Sequence, residues 1–199
     1  MKIDEKIKKS EALIQWMDRR IDGLEISSDD RTRISAGCLD ISLEHHKAIV
    51  LLIANTLIGS AFSLARLLFE AYIRGLWLGR CATEQEIEKY QQDQLRKPFE
   101  TFVQEIEQLE GFNEGILSKA KAANWNSLNS YTHSGYLQIV RRNKTDTIEP
   151  NYDTEEVIEV LGFANAIGML SALQVALLAG NENFAMELLE KSKTELGKP

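Results

Sequence analysis

Arg66, Glu70 and Arg74 recur every four residues in the stretch 48–82, AIVLLIANTLIGSAFSLARLLFEAYIRGLWLGRCA, which is otherwise almost free of charge. On a helix turning ~100° per residue, a four-residue step moves the face by only ~40°. The three charges therefore form one stripe on an otherwise apolar rod. One carboxylate between two guanidiniums makes an ion-pair ladder, with Glu70 favourably placed four residues before Arg74. The trio is still net positive. In a desolvated site that charge calls for a second acid or an anionic ligand, and the planar fork of arginine suits phosphate or carboxylate.

His133 is the partner such a stripe needs for acid–base chemistry. It stands in NWNSLNSYTHSGYLQIVRRNK beside Asn129, Ser130, Thr132, Ser134 and Gly135. Several of these are poor helix residues, so the segment accommodates something other than a regular rod. Helical spacing puts Asn126, Asn129 and His133 on one side and Trp125, Leu128 and Ile139 on another. The competing reading of His133 is a core histidine hydrogen-bonded across a bundle. Arg66, Glu70 and His133 are thus the catalytic candidates, and Arg74, Asn129, His45 and His46 the ligand-binding ones. A metal site from His45, Glu70 and His133 would lack the Glu-x-x-His pairs of di-metal bundles, so no metal or other cofactor is expected.

The elements that must position these groups read as helices throughout. Ile3, Ile7, Ser10, Ile14, Met17, Ile21 and Leu24 alternate at four and three residues, a heptad seam with one polar member. Ser27, Ser28, Asp29 and Asp30 supply a cap for a second helix over 31–55. A tight link at Asn55, Thr56 and Gly59 leads into the central third helix, 60–81. Helices joined so closely are antiparallel neighbours, which brings the level of His45 and His46 alongside the charged stripe. Thr83 and Glu86 form a capping box for a polar helix running through Ile87, Tyr90 and Leu95. Pro98 suits the first turn of an outer helix with Phe99, Phe102, Val103, Ile106 and Leu109. A helix from about Glu114 carries the His133 segment. Asp153 and Glu156 cap the last long helix, and 181–196 forms a final amphipathic one.

Composition bounds the rest. A chain of 199 residues with 44% hydrophobic and 27% charged residues reads as one helical domain, 1–199, of about seven to eight helices. A net charge of −7 argues against a surface coated for nucleic acid. Cys38 and Cys81 show neither metal nor disulfide spacing, consistent with a reducing cytoplasm. The charged opening MKIDEKIKKS is no signal peptide. The uncharged runs 48–65 and 162–180 reach the length of a membrane span. Asn55, Ser60, Ser63, Asn165 and Gln174 interrupt them, so buried bundle helices are expected instead. The heptad seam and the small residues of the last long helix suggest a homodimer.

LEHHKAIVLLI, GSAFSLARLLFEAYIRGLWL and LNSYTHSG together resemble an uncharacterised group of bacterial helical proteins. Members of that group pair Arg-x-x-x-Glu on one helix with a Leu-Ser-x-x-x-His-x-Gly segment on another, here Arg66, Glu70, His133 and Gly135. The similarity covers 44–79 and 125–142, and Asn129 replaces the more usual serine. The group is distantly similar to the HEPN superfamily, helical bundles of prokaryotic defence and toxin–antitoxin systems. That resemblance implies a HEPN-like all-α fold and two functions. One is a dimeric binding or regulatory component. The other is an RNA- or nucleotide-directed enzyme, with Arg66 and Arg74 on phosphate and His133 as acid or base. Active HEPN ribonucleases carry Arg-x(4–6)-His on one helix, a spacing found before none of His45, His46 and His133. An arginine from the third helix would have to supply it in space.

Overall fold

A computed structural model describes residues 2–195. Among these residues it shows nine helices and no strand, an all-α bundle. They are α1 (Ile3–Ile21), α2 (Asp30–Ala54), α3 (Ile58–Arg80), α4 (Glu84–Gln91), α5 (Phe99–Ile106), α6 (Ile116–Thr132), α7 (Tyr136–Val140), α8 (Thr154–Leu178) and α9 (Glu182–Glu195). Leu196, expected in the last helix, lies outside the described residues.

The starts are written locally. The Asp29 carboxylate accepts from Thr32 N–H to open α2. Thr83 and Glu86 close a reciprocal box over α4, and Glu156 accepts from Asp153 N–H at the head of α8. Each such cap contributes roughly 0.5–2 kcal/mol. The ends were less legible. α4 stops at Gln91, so Leu95 lies in an irregular connector, and α5 stops at Ile106, short of Leu109. Pro98 sits one residue before α5, at its N-cap.

Packing centres on α3. Its Phe69, Tyr72, Ile73, Leu76, Trp77 and Leu78 are essentially inaccessible to solvent, and each large apolar side chain so buried contributes about 1.5–3 kcal/mol. α2 runs antiparallel to α3, and two serine hydroxyls of α2 donate to α3 carbonyls. Ser35 reaches Gly75 O at 2.8 Å and Ser42 reaches Leu68 O at 3.1 Å. α8 packs on α1, α2, α3 and α9, while α5 and α6 pack on α3. α5 is amphipathic and packs on α3 and α6, burying Phe102, Val103 and Ile106 in the same cluster that unites α1–α6, α8 and α9 while Gln104 faces out.

The two long apolar runs have different explanations. The first is not one helix: the chain turns at Asn55 and Thr56, the latter at φ 61°, between α2 and α3. The second is α8, long and apolar enough by composition to cross a membrane. Four helices, α1, α2, α3 and α9, pack on it, and 56% of its apolar stretch is buried within the chain. Of the members of the heptad seam, Ser10 and Met17 are buried and Ile3, Ile7, Ile14, Ile21 and Leu24 half-buried against the core, and Leu13 beside them is buried as well. Much of the apolar surface of α1 and α8 is therefore used within the chain.

Candidate functional site

The stripe on α3 is shared unequally. Glu70 Oε1 accepts from Arg66 Nε at 2.6 Å, while its Oε2 lies 3.4 Å from Arg74 Nη2. Exposure follows the same order: 11% for the Glu70 side chain, 20% for Arg66 and 44% for Arg74. The tight pair is the sheltered one, where a charge-assisted bond is strongest. The excess positive charge is left at the open end, on Arg74.

Arg66 has a second partner. Its Nη1 lies 2.7 Å from His133 Nε2, across 67 residues of sequence. A guanidinium can only donate, so Nε2 is the accepting nitrogen and the ring proton sits on Nδ1. His133 is the residue just past the end of α6, its N–H bonded to Asn129 O. It is exposed, which corrects the core-histidine expectation.

The peptide after His133 explains the unusual composition there. Ser134 takes φ 52°, the left-handed value that commonly ends a helix and usually belongs to glycine. Gly135 N–H then returns to Ser130 O at 2.6 Å. Gly135 itself has ordinary extended geometry and is needed for closeness instead. A Cβ there would sit 2.6 Å from Ser130 Oγ, the atom that accepts from Leu137 N–H to start α7. The turn is fastened to α3: Ser63 Oγ donates to Tyr131 O at 2.8 Å, and Thr132 Oγ1 donates to Ser63 O at 3.1 Å.

Trp125 completes the cluster. The Arg66 guanidinium lies 4.8 Å from its ring centroid, Lys121 Nζ lies 5.1 Å away, and Phe99 stacks on it at 4.9 Å. Trp125 on α6 and His133 just past its end thus both meet Arg66 of the stripe on α3. Periodicity alone had put Trp125 and His133 on different sides. Their equal spacing with Asn129 was the signal that would have united them.

Residues 39–195 match the model of DUF6988, a family of unknown function. The chain belongs to that family. No curated protein and no solved structure matches it. The family match takes in Arg66, Glu70, Arg74, Trp125, Asn129 and His133, and leaves α1 outside.

Two sequence candidates stand apart from the cluster in this DUF6988 fold. His46 is at the expected level beside α3 but faces α1 and α8. It is inaccessible to solvent, with Nε2 2.9 Å from Asn165 Oδ1. Asn165 Nδ2 donates to Ser10 Oγ, which donates to Lys6 O. With the amide nitrogen so occupied, His46 Nε2 must be the donor, leaving Nδ1 buried without a partner. That nitrogen packs against Gly168, where any Cβ would collide with it. Burial lowers the basicity of both His45 and His46. Ser10 and Asn165, read from sequence as interruptions of apolar faces, are the polar links of this chain.

Among the described residues no group of three His, Cys, Asp or Glu gathers to hold a metal. Between Glu70 and His133 the cation is Arg66 itself. Chemically, the DUF6988 cluster is a guanidinium clamped by a carboxylate, an indole and an imidazole. The His133 lone pair at Nε2 is closed to base chemistry while Arg66 holds it, and its Nδ1–H remains as a donor.

Proposed function

We propose that the protein is a non-catalytic, self-associating binding or regulatory component, of the defence or toxin–antitoxin type that its HEPN resemblance implies. The observation supporting this reading is the engagement of Arg66. Its Nε, its Nη1 and its π-face contact are all met from within the chain, by Glu70, His133 and Trp125. A phosphate-binding arginine poised for catalysis would offer a whole edge of its fork to the substrate, and here each edge has one nitrogen already taken, Nε by Glu70 and Nη1 by His133. The cluster acts instead as a clasp that holds the end of α6, and with it α7, on α3.

The self-association surface lies next to that clasp. α7 buries no residue, and Tyr136 is 79% exposed with Leu137 and Ile139 beside it. In the loop that follows, Ile148 is 80% exposed. Exposed apolar side chains gathered on one short helix suit a protein–protein contact, and the occupant in this reading is a second copy. Light scattering of the full chain should give a dimer mass, reduced to a monomer by Tyr136→Glu with Ile139→Glu. A monomer at high micromolar concentration removes the dimer.

The exposure of His133 favours one other reading, an RNA- or nucleotide-directed enzyme. There the substrate phosphate would take His133's place on Arg66, and the freed imidazole would act as acid or base. Incubation with labelled RNA separates the two. Cleavage by the wild-type chain that disappears in a normally folded His133→Ala variant establishes catalysis and ends the clasp reading.

A further inference from the structure

We propose that the cleft beside Arg74 binds a small organic anion, headed by a carboxylate or a phosphate and carrying a hydroxyl or amino donor. The cleft has a volume of about 390 Å³ and is lined by Arg74, Tyr90, Asp93, Leu95, Lys97 and Phe102. It is formed where the irregular connector 92–98 passes the last turns of α3, and neither Arg66 nor His133 lines it. Its size is that of a metabolite site, and its lining is mostly polar.

The charges in the cleft are not equivalent. Lys97 is neutralised: its ammonium lies 2.6 Å from Glu86 and 2.8 Å from Glu105, and 4.5 Å above the Trp77 ring. Arg74 is not. Glu70 gives its close oxygen to Arg66, and Arg74 meets the other only at 3.4 Å. A guanidinium in a partly enclosed cleft with a loosely met fork is a receptor for one planar or tetrahedral anion. Asp93 on the wall can accept from a ligand hydroxyl or amine. Tyr90, whose hydroxyl lies 3.3 Å from Cys38 Sγ, supplies a further polar contact and an aromatic wall. The excess charge read in the stripe from sequence is thus met at neither Arg66 nor His133. It emerges here, where a ligand can reach it. This site stands independently of the non-catalytic reading of the clasp.

The test is an NMR titration of the isotope-labelled full chain with inorganic phosphate, AMP and lactate. Resonances of Tyr90, Trp77 and the Arg74 side chain should shift together at millimolar concentration with at least one probe. Phosphate binding assigns the head group, AMP without phosphate assigns a nucleotide, and lactate alone assigns a carboxylate. Arg74→Gln should weaken the interaction at least about tenfold, Arg74→Lys by less, and the exposed Arg80→Gln should leave it unchanged. The lysine variant keeps the test standing if the glutamine variant loses its fold. No shift with any probe, or shifts unchanged in both Arg74 variants, overturns the proposal.

Discussion

Arg66 Nη1 and His133 Nε2 lie 2.7 Å apart, tying the middle of α3 to the end of α6. The contact is at the surface on the histidine side and sheltered on the arginine side. His133→Ala therefore removes one hydrogen bond without leaving an uncompensated buried charge, and should cost about 0.5–1.5 kcal/mol. Hydrogen exchange in α7 and the last turn of α6 should quicken while α2, α3 and α8 are unchanged. Global loss of protection would show that the clasp supports far more than α7.

Glu70 is the more costly member of the cluster. It is buried and, among the described residues, is the only carboxylate given to Arg66 at close range, at 2.6 Å. Glu70→Ala leaves a sheltered guanidinium with an imidazole and an indole for partners, and should cost about 3 kcal/mol. Arg74, being half-exposed, adds little to that penalty. Urea denaturation of the two alanine variants should rank Glu70 well above His133; the reverse order would contradict this energetic picture.

The turn after α6 gives a paired test of opposite sign. Gly135→Ala drives a methyl to within 2.6 Å of Ser130 Oγ and should destabilise the chain, because that hydroxyl is fixed by Leu137 N–H. Ser134→Gly relieves a left-handed residue at φ 52° and should stabilise by about 1 kcal/mol. Thermal denaturation should show the two midpoints moving in opposite directions from the wild type.

His46 predicts a pH dependence. Burial, opposed by the bond to Asn165, lowers its pKa below the ordinary 6.5, so the folded chain keeps it neutral where the unfolded chain is protonated. The unfolded state then binds more protons, and stability falls as pH drops below 6.5, by up to about 1.4 kcal/mol per unit. Above that value His46 contributes no slope. His46→Gln should flatten the decline between pH 6.5 and 5.5, before most carboxylates titrate. A slope in the variant equal to that of the wild type would assign the effect elsewhere.

Periodicity and capping residues carried most of the fold by themselves. The apolar character of 48–82 announced a central helix, and Asp29, Thr83 and Asp153 announced where three helices begin. Those signals are local, since a cap or a stripe depends on residues within a few positions of one another. The site was legible as a list of residues and only partly as an arrangement. The stripe Arg66, Glu70, Arg74 and the odd composition around His133 are visible in sequence. Which guanidinium Glu70 holds, and that Trp125 and His133 converge on the same one, depends on how α6 crosses α3. His45 and His46 show the same limit from the other side. Their level along α2 follows from a short link, but the turn of His46 toward Asn165 and Ser10 follows from α8 and α1 closing over it. Tertiary packing also decided which apolar faces remain outside. The strongest ones in the sequence, on α1 and α8, bury each other, and the exposed patch falls to five-residue α7, too short to reach the core.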